Sequence, residues 1–512
     1  MKVLFVSAEV APYSTVGGLS QVSYFLSKAL KKRGVDIRVF TPKYGIINNE
    51  QYPIKRTIQG LRIPTDESEE SPNPKELICN ICTPVHAAKN DPKVYFLENM
   101  EYYEKRANVY SYSDDHIRFG LLSRGALEFI KTKEFVPDLI HCNDWHTGYL
   151  VNYLRDNYES DPVLRKIAVL FSIHNLYQGV FDFDHASEMD FDDGKSKLAS
   201  FYSDRFYKQN ALKRGVIYAD IVNTVSETYS REILTEEYGG RLSNLFKELR
   251  GKIYGVLNGL DYNDFNPRTD KIIKQNYGLS GLKLKKENKI DLQKEFNLKV
   301  DLETPILAYE GRLTSQKGLD LIIKTIEFIL EETGVQFIVM GPGEDQYVDF
   351  FQKLEKKYPG QVGTHLMKNF ALPRKIFAGA DMILMPSKYE PGGIVALEAM
   401  RYGCVPIVRE TGGLADSVTN FDYRSNKGTG FTFKRFTELS FLTAVIRAIE
   451  TYKNREVWQK IVLRAMRQDF SWDQTAKQYL ELYEKAIKTR KEILELRSPS
   501  ESLEKKLEHV LG

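Results

Sequence analysis

Two cations, two carboxylates and several glycine pairs in this chain stand at spacings suited to handling a phosphate ester. Arg312 and Lys317 lie five residues apart in "YEGRLTSQKGLD", where an apolar run gives way to a helical pattern. A guanidinium offers phosphate a planar fork and an ammonium offers a point charge. With a helix N-terminus beside them, they can neutralise a diphosphate without a metal ion. In "EPGGIVALEAMRYGCVPIVRETGGLADS", Glu390 and Glu398 are eight residues apart, about two helical turns. A helix opening at Gly392 and Gly393 aims its first amides, through Ile394 and Val395, at an anion. Glu398 is then placed for ribose hydroxyls and Glu390 for a sugar. Thr411, Gly412 and Gly413 form a further loop that a ligand can approach closely. The first glycine loop, "APYSTVGGLSQV", carries Thr15, Gly17 and Gly18 but no positive charge, so its cations must come from elsewhere in the chain.

The elements that position these residues read as two α/β series. "KVLFVSAE", the glycine loop, "LSQVSYFLSKALKKRG" and "VDIRVFTP" make a strand-loop-helix-strand unit within about 40 residues, the building block of a doubly wound sheet. The pattern recurs at "PDLIHCNDWHTGYLVNYL", "RKIAVLFSIHN" and "ADIVNTVSETYSREI". Residues 261–300 are polar and lysine-rich, with a short helix expected at "ENKIDLQKEFNL", and read as the crossing between domains. A second series follows at "PILAYEGRL", "VQFIVMGPG", "ADMILMPS" and "VPIVRETGG". The expected organisation is a domain over 1–265, a second over 266–470, a helix over 471–490 returning to the first, and a charged tail over 491–512. Two doubly wound domains facing each other across a cleft are the simplest architecture.

With 72 basic and 69 acidic side chains, the net charge of +3 lacks the clustered basic excess of a nucleic-acid binder. Four cysteines in 512 residues are no disulfide framework, which suits a reducing, cytoplasmic setting. Cys79 and Cys82 form a lone C-x-x-C without a second pair, and a structural role is expected for them. No run of ~18 apolar residues occurs, so no membrane span is expected. The stretch "SPSESLEKKLEHVLG" at the end reads as a solvated helix, with Leu503, Leu507 and Leu511 as its apolar stripe.

These motifs, together and in this order, resemble the bacterial glycogen and plant starch synthases of glycosyltransferase family 5. The likeness runs from Met1 to about Lys488 and rests on "SAEVAPYSTVGGL", "HCNDWHTG", "SIHNLYQGVF", "YGVLNGLDYNDFNP", "EGRLTSQKGLDLI", "EPGGIVALEAMRYG" and "GTGFTF". It implies the two-domain GT-B fold. It also implies retaining transfer of glucose from ADP-glucose or UDP-glucose, the former favoured, to the non-reducing end of an α-1,4-glucan, with no cofactor. By the same resemblance Arg312 and Lys317 bind the donor diphosphate, Glu390 contacts the donor sugar, and His174 and Asn258 lie beside it. Glu9, Asp144, Trp145 and His146 fall on the acceptor side.

The chain departs from that family in its first loop, where Thr15 replaces the usual lysine. Gly392, Val395 and Ala396 stand where bacterial synthases tend to carry Cys, Thr and Gln, and Lys368 falls near a position that is often aromatic. Two further readings are a GT-B transferase with another sugar or small acceptor, and a weakened glucan-binding subunit. A metal-dependent GT-A transferase would have to use "DFD" at 182–184 or 190–192, which reads as acidic surface loop.

Overall fold

The computed structural model of the chain describes residues 1–176 and 191–497. The acidic run at 182–184 and the leucines Leu503, Leu507 and Leu511 lie outside the described residues. The chain forms two compact units. The first comprises Met1–Thr224, Ile233–Val256 and the chain from Thr475 onward; the second comprises Val225–Glu232 and Leu257–Gln474.

In the first unit the strands are β1 (Lys2–Val6), β2 (Asp36–Pro42), β3 (Ile54–Pro64), β4 (Glu76–Pro84), β5 (Lys93–Glu98), β6 (Leu139–Asn143), β7 (Ala168–Ile173), β8 (Ile221–Thr224) and β9 (Ile253–Gly255). They form one sheet in the order β3-β4-β5-β2-β1-β6-β7-β8-β9. From β5 to β9 every pairing is parallel, and β3 and β4 extend that edge in antiparallel fashion. Strands covered by helices on both faces need apolar side chains on both, which is why β1, β6 and β7 are near-continuous apolar runs. Strand order reverses at β1, which has β2 on one side and β6 on the other (Val3 opposite Leu139). Ligands bind at the carboxyl ends of such a reversal, where diverging loops leave a crevice.

The second unit repeats this design with a wholly parallel sheet. Its strands are β10 (Ile306–Glu310), β11 (Gln336–Met340), β12 (Val362–His365), β13 (Met382–Met385), β14 (Val405–Arg409) and β15 (Phe431–Phe433), ordered β12-β11-β10-β13-β14-β15. The reversal falls between β10 and β13, paired through Leu307–Met382 and Ala308–Ile383. The carboxyl ends of these two strands lead directly to Arg312 and Glu390.

The lysine-rich stretch expected to cross between domains belongs to the second unit. Its helix Lys285–Glu295 buries Leu292, and Phe296 and Leu298 follow it into the same core. Lys289 is itself buried, its ammonium donating to Asp381 (2.8 Å) and to the Tyr452 hydroxyl (2.9 Å). The helix falls where the sequence placed one. A lysine stem covers apolar surface while its head finds acceptors, so composition alone did not show that this helix packs into the second unit's core.

The helix Trp472–Arg497 starts against the second unit and delivers Tyr479 and Tyr483 to the first. Ser172 gives its proton to Asn223 and therefore accepts from His141 Nε2 (2.6 Å), which leaves His141 Nδ1 to accept from the Tyr483 hydroxyl (2.8 Å). Asn223 in turn donates to Tyr479 (3.1 Å). Burial holds His141 neutral, its pKa well below the usual histidine value. Asp192, from the second acidic run, is clasped through both oxygens by the buried Arg214 guanidinium (2.8 Å each), so it serves the fold rather than a metal. Among the described residues no helix is long and apolar enough to cross a membrane.

Replacing Leu292 by alanine should cost ~2–5 kcal/mol of unfolding free energy, measured by urea titration of the second unit's transition. A linker residue would show less than about 0.5 kcal/mol.

Candidate functional site

Each unit carries its own group of candidate residues. In the second unit, Arg312 follows β10 and is exposed; among the described residues its guanidinium hydrogen-bonds only to Gln316, at 3.3 Å, while its carbonyl is held by the Tyr309 hydroxyl at 2.7 Å. The backbone is therefore fixed and the charge left available. Lys317 sits one short turn later and donates to Glu390 Oε2 at 2.6 Å, and Ser387 Oγ donates to the same oxygen at 3.0 Å. Glu390 is buried at the end of the loop that follows β13. An ammonium carries three donors, so this pair leaves Lys317 two more for a ligand.

Gly393 has φ of 63° and is followed at once by the helix Ile394–Arg401, whose first-turn amides have no acceptor within the helix. The Thr411-Gly412-Gly413 loop is built against this one. A Cβ at Gly412 would stand 2.1 Å from the Glu390 carbonyl oxygen, and one at Gly413 the same distance from that of Gly392. The Gly413 amide donates to the Glu390 carbonyl (3.0 Å), and Glu232 accepts from both Thr411 Oγ1 (2.9 Å) and the Gly412 amide (3.1 Å). These glycines are accounted for by loop-on-loop packing. Asn258, also in this unit, is buried beside Gly392, and its Oδ1 has no hydrogen-bond partner among the described residues.

Sequence reasoning missed three acidic or hydroxyl groups of this half. Glu232 and Ser226, which donates to the Pro391 carbonyl at 2.6 Å, come from the excursion Val225–Glu232, and nothing local in the sequence assigns that segment to the second unit. Glu310 looked like the polar end of a strand. Burial raises its carboxyl to about 7, and burial together with the Glu310 charge raises Glu398 to about 8. Two such carboxyls ending a strand and lining a helix form an electrostatically coupled pair; an acidic residue closing an otherwise apolar strand was the available signal.

In the first unit, Thr15, Gly17 and Gly18 are exposed, and the helix Gly18–Lys32 starts behind them. Glu9 reaches back so that its Oε2 accepts from the Val16 amide (2.6 Å) and the Gly17 amide (3.2 Å). This carboxylate orders the loop by occupying amides that an incoming anion would otherwise meet. Asp144 follows β6 with φ of 55°, unusual for a residue bearing a Cβ. Its Oδ1 accepts from the His174 amide (2.7 Å) and the Asn175 amide (3.4 Å), its Oδ2 is unpartnered, and burial lifts its pKa to about 7. Asp144 thus fixes the loop after β7. Asn143 donates its own amide to Val6 and His141, so its Oδ1 must accept from His174 Nε2 at 2.9 Å. His174 is therefore the Nε2-protonated tautomer, kept neutral by burial that lowers its pKa to about 4. Trp145 and His146 do not present sugar-stacking faces. The indole is 7% exposed, edge-on to Phe119 at 5.1 Å and tilted over His146 at 4.3 Å, and His146 is wholly buried. An indole entering a short turn straight after a core strand packs beneath the sheet's end rather than above it.

A loop carrying Arg312 and Lys317 after β10, a glutamate-led glycine loop after β13 and two doubly wound units are the features of a GT-B glycosyltransferase. Residues 2–248 match the starch synthase catalytic domain, and residues 291–462 match glycosyl transferases group 1. The glycogen synthase of Thermotoga petrophila is 40% identical over 494 residues, spanning 95% of this chain and 99% of that protein. That of Clostridium novyi is 39% identical over 489 residues, covering 94% and 98%. The catalytic domain of starch synthase IV from Arabidopsis thaliana, bound to ADP and acarbose, superposes with a TM-score of 0.81 at 30% identity, over 95% of this chain and 99% of that one. Sucrose-phosphate synthase from Thermosynechococcus elongatus shares the fold, with a TM-score of 0.56 at 18% identity over 94% and 98%. The chain belongs to the glycogen and starch synthase family.

The raised carboxyls carry a stability consequence. A folded-state pKa above the unfolded value leaves stability intact below the unfolded pKa, near 4.5 for Glu398, and erodes it as pH climbs to about 8. A Glu398→Gln chain should therefore melt with the parent at pH 5 and above it at pH 9, by roughly 2–4 °C for each kcal/mol relieved, in scanning calorimetry.

Proposed function

We propose that the chain elongates an α-1,4-glucan in the cytoplasm by retaining transfer of glucose from ADP-glucose, without a metal ion. The observation that carries this reading is the Arg312, Lys317 and Glu390 cluster at the strand reversal of the second unit, with one guanidinium uncommitted and one ammonium partly so. The full-length likeness to glycogen synthases supports the reaction class, and the ADP in the starch synthase neighbour favours adenine as the donor base.

In the reaction the bond from C1 of glucose to the diphosphate oxygen breaks, and its electron pair leaves with the nucleotide. Charge grows on the diphosphate while the sugar ring becomes cationic. Arg312, Lys317 and the first amides of the helix Ile394–Arg401 stabilise the anion as it forms. The terminal 4-hydroxyl oxygen of the glucan bonds to C1 on the face the leaving group vacates, and its proton passes to the departing phosphate oxygen. Configuration is retained and no side-chain nucleophile is needed. His174, neutral and donating through Nε2 to Asn143, keeps its Nδ1 lone pair and its ring for positioning the sugar. Glu390 accepts sugar hydroxyls once Lys317 turns to phosphate.

The direct experiment offers ADP-glucose and UDP-glucose separately, with maltooligosaccharide as acceptor, and follows nucleotide release and chain growth. ADP-glucose should be the better donor, and EDTA should leave the rate unchanged. Arg312→Ala and Lys317→Ala should each lower kcat by roughly 100- to 1000-fold with the fold intact; parental rates in either would remove the diphosphate role. Thr15→Lys should hold or raise activity, because it adds a cation to an exposed loop whose amides Glu9 already orders. A clear loss would show the loop adapted to another ligand.

A further inference from the structure

The strands of the second unit have a second functional end. At the amino-terminal ends of β10, β13 and β14 lies a recess of about 380 Å3, bordered by the helix Lys285–Glu295, by Leu302 and Glu303 ahead of β10, by Asp381 and Gly403 ahead of β13 and β14, and by Tyr452 and Trp458. A five-residue strand spans roughly 16 Å, so this recess and the donor residues occupy opposite ends of the same sheet.

Its charge is one-sided. Lys283, Lys285, Lys286, Lys289 and Arg455 face it, against the carboxylates of Glu303 and Asp381. Both acids are already matched: Asp381 takes Lys289 at 2.8 Å and Glu303 takes Arg455 at 2.6 Å. Lys283 and Lys285 have no carboxylate in ion-pair range among the described residues, and Lys286 reaches only its chain neighbour Glu287, at 4.0 Å. Lys285 is held in place by two carbonyls at the end of the helix Leu372–Gly379, Phe377 (3.0 Å) and Ala378 (2.6 Å), which leaves its third N–H over. Helix capping explains that lysine alone; it does not explain three unmatched cations around one cavity. Arg455, stacked 3.9 Å over the Tyr452 ring, forms a rigid wall.

We propose that this recess binds a small phosphate-bearing anion, of the size of a pentose or hexose monophosphate, whose charge supplies the counter-ion that Lys283, Lys285 and Lys286 lack. The volume lies within the range of small-molecule sites. Burial, with the Lys289 charge beside it and against the opposing pull of Cys404 and Asp381, brings Lys285 down to about 8. A bound dianion favours its charged form, so affinity falls as pH rises through that value.

The test is calorimetric titration of the full chain with ribose 5-phosphate, inorganic phosphate and unphosphorylated ribose. The Arg312→Ala/Lys317→Ala chain is run in parallel, to silence the donor cations. Ribose 5-phosphate should bind both chains with the same Kd, and ribose should bind neither. Lys283→Glu/Lys286→Glu, exposed positions whose replacement leaves the core alone, should weaken binding at least tenfold, and Kd should rise between pH 7 and 9. Inorganic phosphate binding as tightly as ribose 5-phosphate would assign free phosphate as the ligand. Binding that disappears in Arg312→Ala/Lys317→Ala, that is untouched by Lys283→Glu/Lys286→Glu, or that is absent at millimolar concentrations of every probe would overturn the proposal.

Discussion

One buried carboxylate, Glu390, joins the parts of the second half-site. Its side chain takes the Lys317 ammonium and the Ser387 hydroxyl, and its main-chain oxygen takes the Gly413 amide. A single residue thus ties together the Lys317 ammonium, the loop after β13 and the neighbouring glycine loop packed against it. The ion pair is partly shielded from water, where leaving either member alone is costly, so Lys317 is held in place without a ligand. Under the proposed function, an arriving donor would substitute its phosphate for the carboxylate at Lys317 and return the carboxylate to sugar hydroxyls. The charges are exchanged rather than created, which keeps the reorganisation small.

The candidate residues of the first unit are organised by hydrogen bonds among buried polar groups. Asp144 in a left-handed conformation, Asn143 with its amide spent on main-chain carbonyls, and His174 fixed as one tautomer form a hydrogen-bonded set in which each member dictates the orientation of the next. A low pKa keeps His174 uncharged through the physiological range. The proposed reaction calls for cations where the leaving group departs and for uncharged polar groups where the sugar becomes positive.

Much of this could be read from the chain before its structure. Apolar runs such as "KVLFV" and "DMILM" announced buried parallel strands, and the reversal rule then pointed to the loops holding Arg312, Lys317 and Glu390. What stayed hidden was contact between segments distant in sequence. Nothing local in "VSETYSRE" shows that Ser226 and Glu232 brace glycine loops more than 160 positions away. The lysine-rich run containing Leu292 read as a crossing between domains because stems and heads of lysine count together in a composition. The burial of Trp145 was equally hidden, since an indole directly after a strand suits either a core or a ligand face.

The chain passes between its two units four times, at 224/225, 232/233, 256/257 and 474/475. No single cut in the gene can therefore release a complete half. A fragment ending at Val256 would keep His141 and Asn223 in its interior while losing the tyrosines that satisfy them. Modular exchange of the donor half between such proteins is correspondingly constrained: a recombination event must carry the short excursion and the last helix with their own partners. Inheritance of this architecture favours divergence within the loops over shuffling of whole halves.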